Sequence, residues 1–267
     1  MPASFPPPSK RLGQNFLIDQ NIVRKIVAAA ELTPDETVLE IGPGRGILTD
    51  ALSHAARRVI AIEIDAALHA MLQTRRAEWG NVELICADAM AHPFESLPAG
   101  AIVVANLPYY ISTPLLFKLL AHRPLFPRLV LMLQNEVADR LVAGPGDDDY
   151  GILSVMAQYA ADVRKAFKVS ANCFRPRPEV GSAVVVLHPK LQSLLSPSQE
   201  ARFAAVVKGA FAHRRKTLVN SLRDEGYAPS DVSEALAALK VVPSIRAEML
   251  TLRQFMELAG RLRLQPS

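Results

Sequence analysis

Five short apolar runs punctuate the first half of the chain and alternate with stretches of helical period. They are residues 38–41, leading into glycines; 58–63, ending on an acid; 82–86, before Asp88; 102–105, before Asn106; and 129–133. Residues 66–76 and 114–120 carry helical patterns between them. Apolar strands alternating with helices predict a parallel sheet covered on both faces. Beyond Asp149 the pattern changes, and 163–169 and 182–188 read as two strands forming an antiparallel pair that finishes the sheet. Residues 191–199 read as a linker. The rest repeats apolar residues at helical spacing over 201–211, 218–222, 232–239 and 252–262. The expected organisation is an α/β domain over residues 1–191, with a seven-stranded, mostly parallel sheet, followed by a small all-helical domain over 192–267.

Composition narrows the class. Half of the 267 residues are hydrophobic, ample for a packed core. No apolar run approaches the roughly 18 residues of a membrane span. The first eight residues hold three consecutive prolines and no apolar segment, so no secretory signal is read there. Cys86 and Cys173 are far apart and in no metal-type spacing. They are expected as reduced thiols of a cytoplasmic protein without a metal. The net charge of +4 is uneven: residues 1–190 carry 19 Lys+Arg against 19 Asp+Glu, and 191–267 carry 11 against 7. A basic surplus confined to the helical part suits a polyanionic partner, and equally a solvated helix face.

The glycines after the first strand, Gly42-Pro43-Gly44-Arg45-Gly46, let backbone pass close to a ligand. Their Gly-x-Gly-x-Gly spacing is not the dinucleotide fingerprint, and no Lys-Ser/Thr pair marks a phosphate-binding loop. Glu63, at the next strand end, is placed to accept from both hydroxyls of a ribose. Asp88 is placed to accept from an adenine amine. A glycine loop with two strand-end acids describes a site for an adenosine ligand lacking a pyrophosphate. S-adenosylmethionine fits that description better than NAD does. Singly, the loop reads equally as a β–α turn and each acid as a helix N-cap.

Asn106-Leu107-Pro108-Tyr109 follows the fourth strand. An aryl amine is a poor nucleophile because its lone pair is delocalised into the ring. The Asn106 amide oxygen and the Pro108 carbonyl can accept from its two hydrogens, favouring a pyramidal nitrogen aimed at a sulfonium methyl. The proline ring stiffens the turn. Tyr109 can stack on an extracted base. Tyr110 reads as core. Phe174, in Phe174-Arg175-Pro176-Arg177-Pro178, offers a second stacking face, or else anchors a proline-rich loop.

At these residues the chain resembles the ribosomal RNA adenine dimethyltransferase family, in its bacterial small-subunit branch. The resemblance covers nearly the whole chain. It rests on residues 10–17, Glu40–Gly46, Glu63, Asp88, Asn106–Tyr109, on Phe174-x-Pro176-x-Pro178 with Val180 and Ser182, and on residues 211–218 with Asn220-Ser221-Leu222. It implies a Rossmann-like class I methyltransferase domain that uses S-adenosylmethionine. It adds Gln14, Asn15 and Leu17 to a cofactor site of Gly42, Gly44, Glu63, Asp88 and Asn106. The implied substrate is a pair of adjacent adenosines in the 3′-terminal hairpin of 16S rRNA within an assembling 30S particle, each dimethylated.

Arg214, Arg215 and Lys216 are consecutive and are expected to fan around a helix start, where they suit phosphate contacts. Lys10 and Arg11 are expected to touch RNA near the cofactor mouth. Nothing in the chain requires a dimer, and a monomer is expected. Two rivals keep the motifs: a resistance-type methyltransferase of 23S rRNA, and a non-catalytic RNA-binding assembly factor. An NAD-dependent oxidoreductase is disfavoured by the glycine spacing. Cytosine-5 methylation lacks a Pro-Cys nucleophile, and a zinc deaminase lacks His-x-Glu and Pro-Cys-x-x-Cys.

Overall fold

The computed structural model describes residues 6–213 and 215–263, with the backbone alone at Lys10. In chain order the elements are β1 (Phe16–Leu17), α1 (Gln20–Ala30), β2 (Thr37–Ile41), α2 (Ile47–Ala55), β3 (Arg58–Glu63), α3 (Ala66–Thr74), α4 (Arg76–Trp79), β4 (Val82–Cys86), β5 (Ile102–Asn106) and α5 (Ser112–Ala121). They continue as β6 (Leu129–Gln134), α6 (Asn135–Val142), α7 (Ile152–Ala160), β7 (Ala161–Val169), β8 (Phe174–Arg175), β9 (Ser182–Pro189), α8 (Pro197–Phe211), α9 (Leu218–Asp224), α10 (Pro229–Ala238) and α11 (Leu252–Arg261).

Seven strands form one sheet in the order β4-β3-β2-β5-β6-β9-β7. The first five are mutually parallel, and β9 and β7 run antiparallel, as the strand pattern predicts. The burial of each strand follows its place. β2 is buried throughout and β6 at all but its last residue, because helices cover both faces. β7, at the edge, alternates, and exposes Asp162, Arg164 and Lys168 along a border where charge discourages further pairing.

Two antiparallel residue pairs, Phe16 with Arg175 and Leu17 with Phe174, make a second small sheet of β1 and β8. Short polar signals set the helix starts. Asp19 Oδ1 accepts from Asn21 N at 2.8 Å to cap α1, and Asp65 Oδ1 accepts from Ala67 N at 3.0 Å to cap α3. The linker is shorter than its composition suggests. Ser196 and Gln199 form a capping box around Pro197, so α8 starts two residues before 199.

The chain divides into two compact units. One comprises the chain up to Ala138 with Ala161–Leu191, and the other Asp139–Ala160 with the chain from Gln192 onward. This corrects the contiguous domain 1–191, because Asp139–Ala160 finds its partners among the later helices. Tyr150 Oη donates to the Leu250 carbonyl at 2.9 Å, and Gly146 N to the Glu248 carbonyl at 2.8 Å. The Tyr150 ring packs edge-on to Phe211, and Tyr159 lies against Phe203 with centroids 4.8 Å apart.

The order of the central strands positions the site. β2 neighbours both β3 and β5, and strand order runs outward from this pair in opposite directions. Crossovers part there and leave a crevice beyond the carboxyl ends of the strands. The register levels the strand ends: Ile41 is opposite both Ile62 and Ala105, and Glu63 is opposite Cys86. Gly42, Glu63, Asp88 and Asn106 therefore emerge along one edge.

Candidate active site

A cleft enclosing about 770 Å³, part of it open to solvent, lies at that edge. Gln14, Asn15, Gly42, Gly44, Glu63, Asp88, Asn106, Pro108, Tyr109 and Phe174 all line it, so the structure brings most of the sequence-predicted site residues together. Among the described residues its lining holds two carboxylates and no lysine, arginine or histidine.

The glycine loop is built for close approach. A Cβ on Gly44 would lie 3.1 Å from the Phe16 ring, and one on Gly46 would lie 2.9 Å from Leu72 Cδ2. Both glycines also have positive φ, at 58° and 80°, which a side chain would strain. Glu63 ties this loop to β3. Its Oε2 accepts from Gly44 N at 3.0 Å and its Oε1 from Asp65 N at 2.9 Å. The residue is only 3% exposed, and burial raises its pKa against the pull of those two N–H donors. Asp88 Oδ1 accepts from Met90 N at 2.8 Å, which secures the carboxyl in a turn and leaves Oδ2 available. Neither acid is a helix N-cap, since Asp65 caps α3 and no α-helix starts directly after Asp88; each instead organises its own loop and also faces the cleft.

Gln14 lines the cleft, but its amide is engaged elsewhere. Its Oε1 accepts from Ser9 N at 2.7 Å and its Nε2 donates to Asp65 Oδ2 at 2.9 Å, latching the segment before β1 over the start of α3. Arg11 is exposed near Asp65. Against the upward push of burial, the Gln14 amide, the Leu68 and Ala67 N–H groups and Arg11 hold that carboxyl below its usual range. The Lys10 side chain lies outside the described residues. Leu17 is placed differently from expectation. It lines a smaller adjoining cavity with Glu40, Arg45 and Leu48, because the β1 residue facing the larger cleft is Phe16.

Asn106 lies at the end of β5 and borders both cavities. Its Nδ2 donates to the Asn15 carbonyl at 3.4 Å, so Oδ1 is left as the acceptor. The turn after it is rigid. Leu107 N donates to the Met132 carbonyl at 3.2 Å, and the Pro108 carbonyl accepts from Ile111 N at 3.2 Å. Pro108 thus keeps one lone pair for another donor, while the Leu107 carbonyl has no donor among the described residues and Leu107 also lines the cleft. Tyr109 Oη lies 2.8 Å from Ser182 Oγ, which fixes the ring, and burial raises the phenol pKa.

Two aromatic residues depart from expectation. Tyr110 is not core: it is 53% exposed at the cleft, with the positive-φ Gly13 beneath its ring. Its neighbours in sequence are apolar, so the pattern alone did not distinguish it. Phe174 is 1% exposed and belongs to the hydrophobic core beneath the cleft, so its ring has no open face here. It serves as floor and anchor.

Glu40 is a buried acid to which the strand pattern assigned no role. It is 1% exposed, and burial raises its pKa to about 8. Thr49 offsets this slightly, although neither Glu40 Oε2 nor Thr49 Oγ1 has a partner at hydrogen-bond geometry among the described residues. A folded-state pKa raised from 4.5 means that Glu40 favours folding most below pH 4.5, and that the benefit disappears as pH rises to about 8. Glu40→Gln should therefore raise the ligand-free Tm by about 5 °C at pH 8.5 and little near pH 5. Thermal scans at the two pH values check this, and an equal gain at both would contradict it.

In the helical unit, Arg215 and Lys216 are exposed, and Arg214 lies outside the described residues. Arg215 and Lys216 lie in the turn just ahead of α9, whose N-cap is Thr217, and Lys216 N donates to the His213 carbonyl in that turn. Lys216 also pairs with Asp224, which gathers Arg223 at 3.0 Å and His213 at 3.7 Å. Among the described residues no group of three His, Cys, Asp or Glu could hold a metal, and no helix is long and apolar enough to cross a membrane.

A seven-stranded sheet in this order, with a glycine loop at the point where strand order reverses, is the fold of class I methyltransferases. It is shared at TM-score 0.78 with a dimethyladenosine transferase from Plasmodium falciparum, 29% identical, over 92% of this chain and 99% of that one. It is shared at 0.73 with the 23S rRNA methyltransferase ErmE, also 29% identical, over 93% and 99%. The family described as "Ribosomal RNA adenine dimethylase" matches residues 8–263, and the chain belongs to it. This makes it an enzyme, an rRNA adenine methyltransferase. Its relatives include "Ribosomal RNA small subunit methyltransferase A" of Moorella thermoacetica, 45% identical over 96% of this chain and 92% of the relative. The protein of that name from Syntrophotalea carbinolica is 45% identical over 94% and 96%.

Proposed function

We propose that this enzyme uses S-adenosylmethionine to dimethylate the exocyclic amines of two adjacent adenosines in the 3′-terminal hairpin of 16S rRNA, on an assembling 30S particle. It acts as a cytoplasmic monomer without a metal. The observation that carries the reading is the strand register, which delivers the glycine loop, two acids and Asn106 to the rim of one cleft. The cleft also fits the cofactor's charge. Two carboxylates, with no cation among the described lining residues, suit a sulfonium ligand and would repel a pyrophosphate.

Bound S-adenosylmethionine supplies an electrophilic methyl group on its sulfonium. The chain's own residues do the rest. Glu63, already fixed by two backbone N–H groups, accepts from the ribose hydroxyls, and Asp88 Oδ2 accepts from the cofactor's adenine amine. Asn106 Oδ1 and a carbonyl of the Leu107–Pro108 turn accept the two hydrogens of the target amine. They hold its nitrogen pyramidal with the lone pair toward the methyl. No strong base is needed, because the amine proton becomes acidic as the new bond forms and is then lost to solvent. Tyr109, held by Ser182, stacks on the extracted base.

Residues 192–267, together with Asp139–Ala160, serve as the RNA- and ribosome-binding part. Replacing Arg214, Arg215 and Lys216 by glutamine should weaken RNA binding and reduce the salt slope by about 1 to 2, less than three full charges because Lys216 is paired with Asp224. Binding titrations across a salt series check this, and an unchanged slope would place the cluster away from RNA.

The likeness to ErmE sustains one competing substrate, 23S rRNA, whereas the small-subunit names of relatives at 45% identity support 16S. Labelled cofactor with undermethylated 30S or with 23S rRNA decides. Dimethyladenosine in the 30S reaction is expected. Exclusive labelling of 23S rRNA would overturn the substrate, and binding without transfer to either would favour an assembly factor.

A further inference from the structure

Lys118 is a strongly engaged cation near the cleft that the reaction does not use. It lies on α5, the helix that leads directly out of the Asn106–Ile111 turn. Its ammonium donates to three backbone carbonyls of one loop: Ala89 at 2.9 Å, Met90 at 2.9 Å and His92 at 2.6 Å. It also sits 4.4 Å from the centroid of the buried Phe94 ring. This loop begins at Asp88. Asp88 Oδ1 closes its near end through Met90 N, and the Asp88 carbonyl accepts from Ala91 N and His92 N at 3.0 and 2.8 Å. The segment is thus a single helical turn with a carboxylate at its amino end and a cation across its carbonyl end.

We propose that Lys118 is a positioning residue for cofactor recognition: by gathering the carbonyls of residues 89, 90 and 92 it sets the Asp88 carboxylate against the adenine amine of the cofactor. The inference rests on the cofactor reading of the cleft. A turn of five residues has too few internal hydrogen bonds to persist alone. Three charge-assisted bonds from one ammonium replace what is missing. Without them Asp88 keeps its chemistry and loses its direction. Because α5 starts on the Tyr109 carbonyl through Ser112 Oγ at 3.0 Å, the same helix references the adenine acid to the turn carrying Asn106.

The test uses two ligands that differ only where Asp88 is proposed to act: S-adenosylhomocysteine, and its analogue with an unsubstituted purine, whose C6 carries hydrogen in place of the amine. Calorimetric titration of Lys118→Met should show about tenfold weaker binding of the first and binding of the second within about twofold of wild type. In an Asp88→Ala background the same substitution should cost nothing further. Lys118→Arg keeps the charge and the packing if Lys118→Met does not fold, and should weaken only the adenosyl ligand, by about threefold. Equal losses on both ligands, or no loss on the adenosyl ligand, would overturn the role of Lys118. A wild-type protein that bound neither ligand would instead overturn the cofactor reading itself.

Discussion

Asn106→Ala should lower single-turnover methyl transfer by about a thousandfold while leaving cofactor affinity within about threefold. The asymmetry comes from the contacts Asn106 makes. Its Nδ2 makes one long bond, 3.4 Å, to the Asn15 carbonyl, so little of the pocket depends on it. In the proposed complex its Oδ1 accepts from the target amine, and that bond strengthens as the nitrogen turns pyramidal and gains positive charge. An interaction made mainly in the transition state appears in kcat, not in cofactor binding. Calorimetry beside single-turnover rates separates the two. A fully active variant would remove Asn106 from the chemistry, and a large loss of cofactor affinity would make it a binding residue instead.

Glu63→Gln should weaken S-adenosylhomocysteine binding by about a hundredfold, with smaller changes in kcat at saturating cofactor. The carboxylate accepts from Gly44 N, Asp65 N and, in the proposed complex, two ribose hydroxyls. An amide presents an NH₂ where one of these backbone donors already points, so the glycine loop loses its tie as well as the ligand losing an acceptor. The pH dependence has a definite sign. Burial raises the Glu63 pKa, and binding needs the ionised form, so wild-type affinity should fall as pH drops through that raised value. The glutamine variant should show no such fall. Titrations from pH 5 to 8 check both statements, and an unchanged affinity would show that Glu63 only braces the loop.

The sheet was readable from the sequence because parallel strands buried on both faces are continuous apolar runs. β2, β3, β4 and β5 each end on, or within two residues of, a glycine or polar residue that lines the cleft: Gly42, Glu63, Asp88 and Asn106. The features that escaped reading depend on partners distant in the chain. β1 and β8 are two residues each, too short for a period, and only their pairing reveals them. Asp139–Ala160 carries no mark of the later helices that it packs against. Tyr110 and Phe174 exchanged places, because burial of an aromatic residue is set by what covers it. Tyr110 lies at the rim over Gly13, while Phe174 is held under the cleft by its pairing with Leu17. The charges of the basic triplet were evident, but the neutralising Asp224, eight residues past Lys216 and across a helix cap, was not.

The proposed geometry brings a cofactor and an adenine amine together at Asn106. It is tested most directly by a crystal structure of this enzyme with S-adenosylhomocysteine and an adenosine-containing RNA hairpin. The predicted result places the cofactor ribose on Glu63, its adenine on Asp88, and the target amine within hydrogen-bond distance of Asn106 Oδ1 and a carbonyl of the Leu107–Pro108 turn. A cofactor bound elsewhere, or Asn106 turned away from the target base, would contradict it.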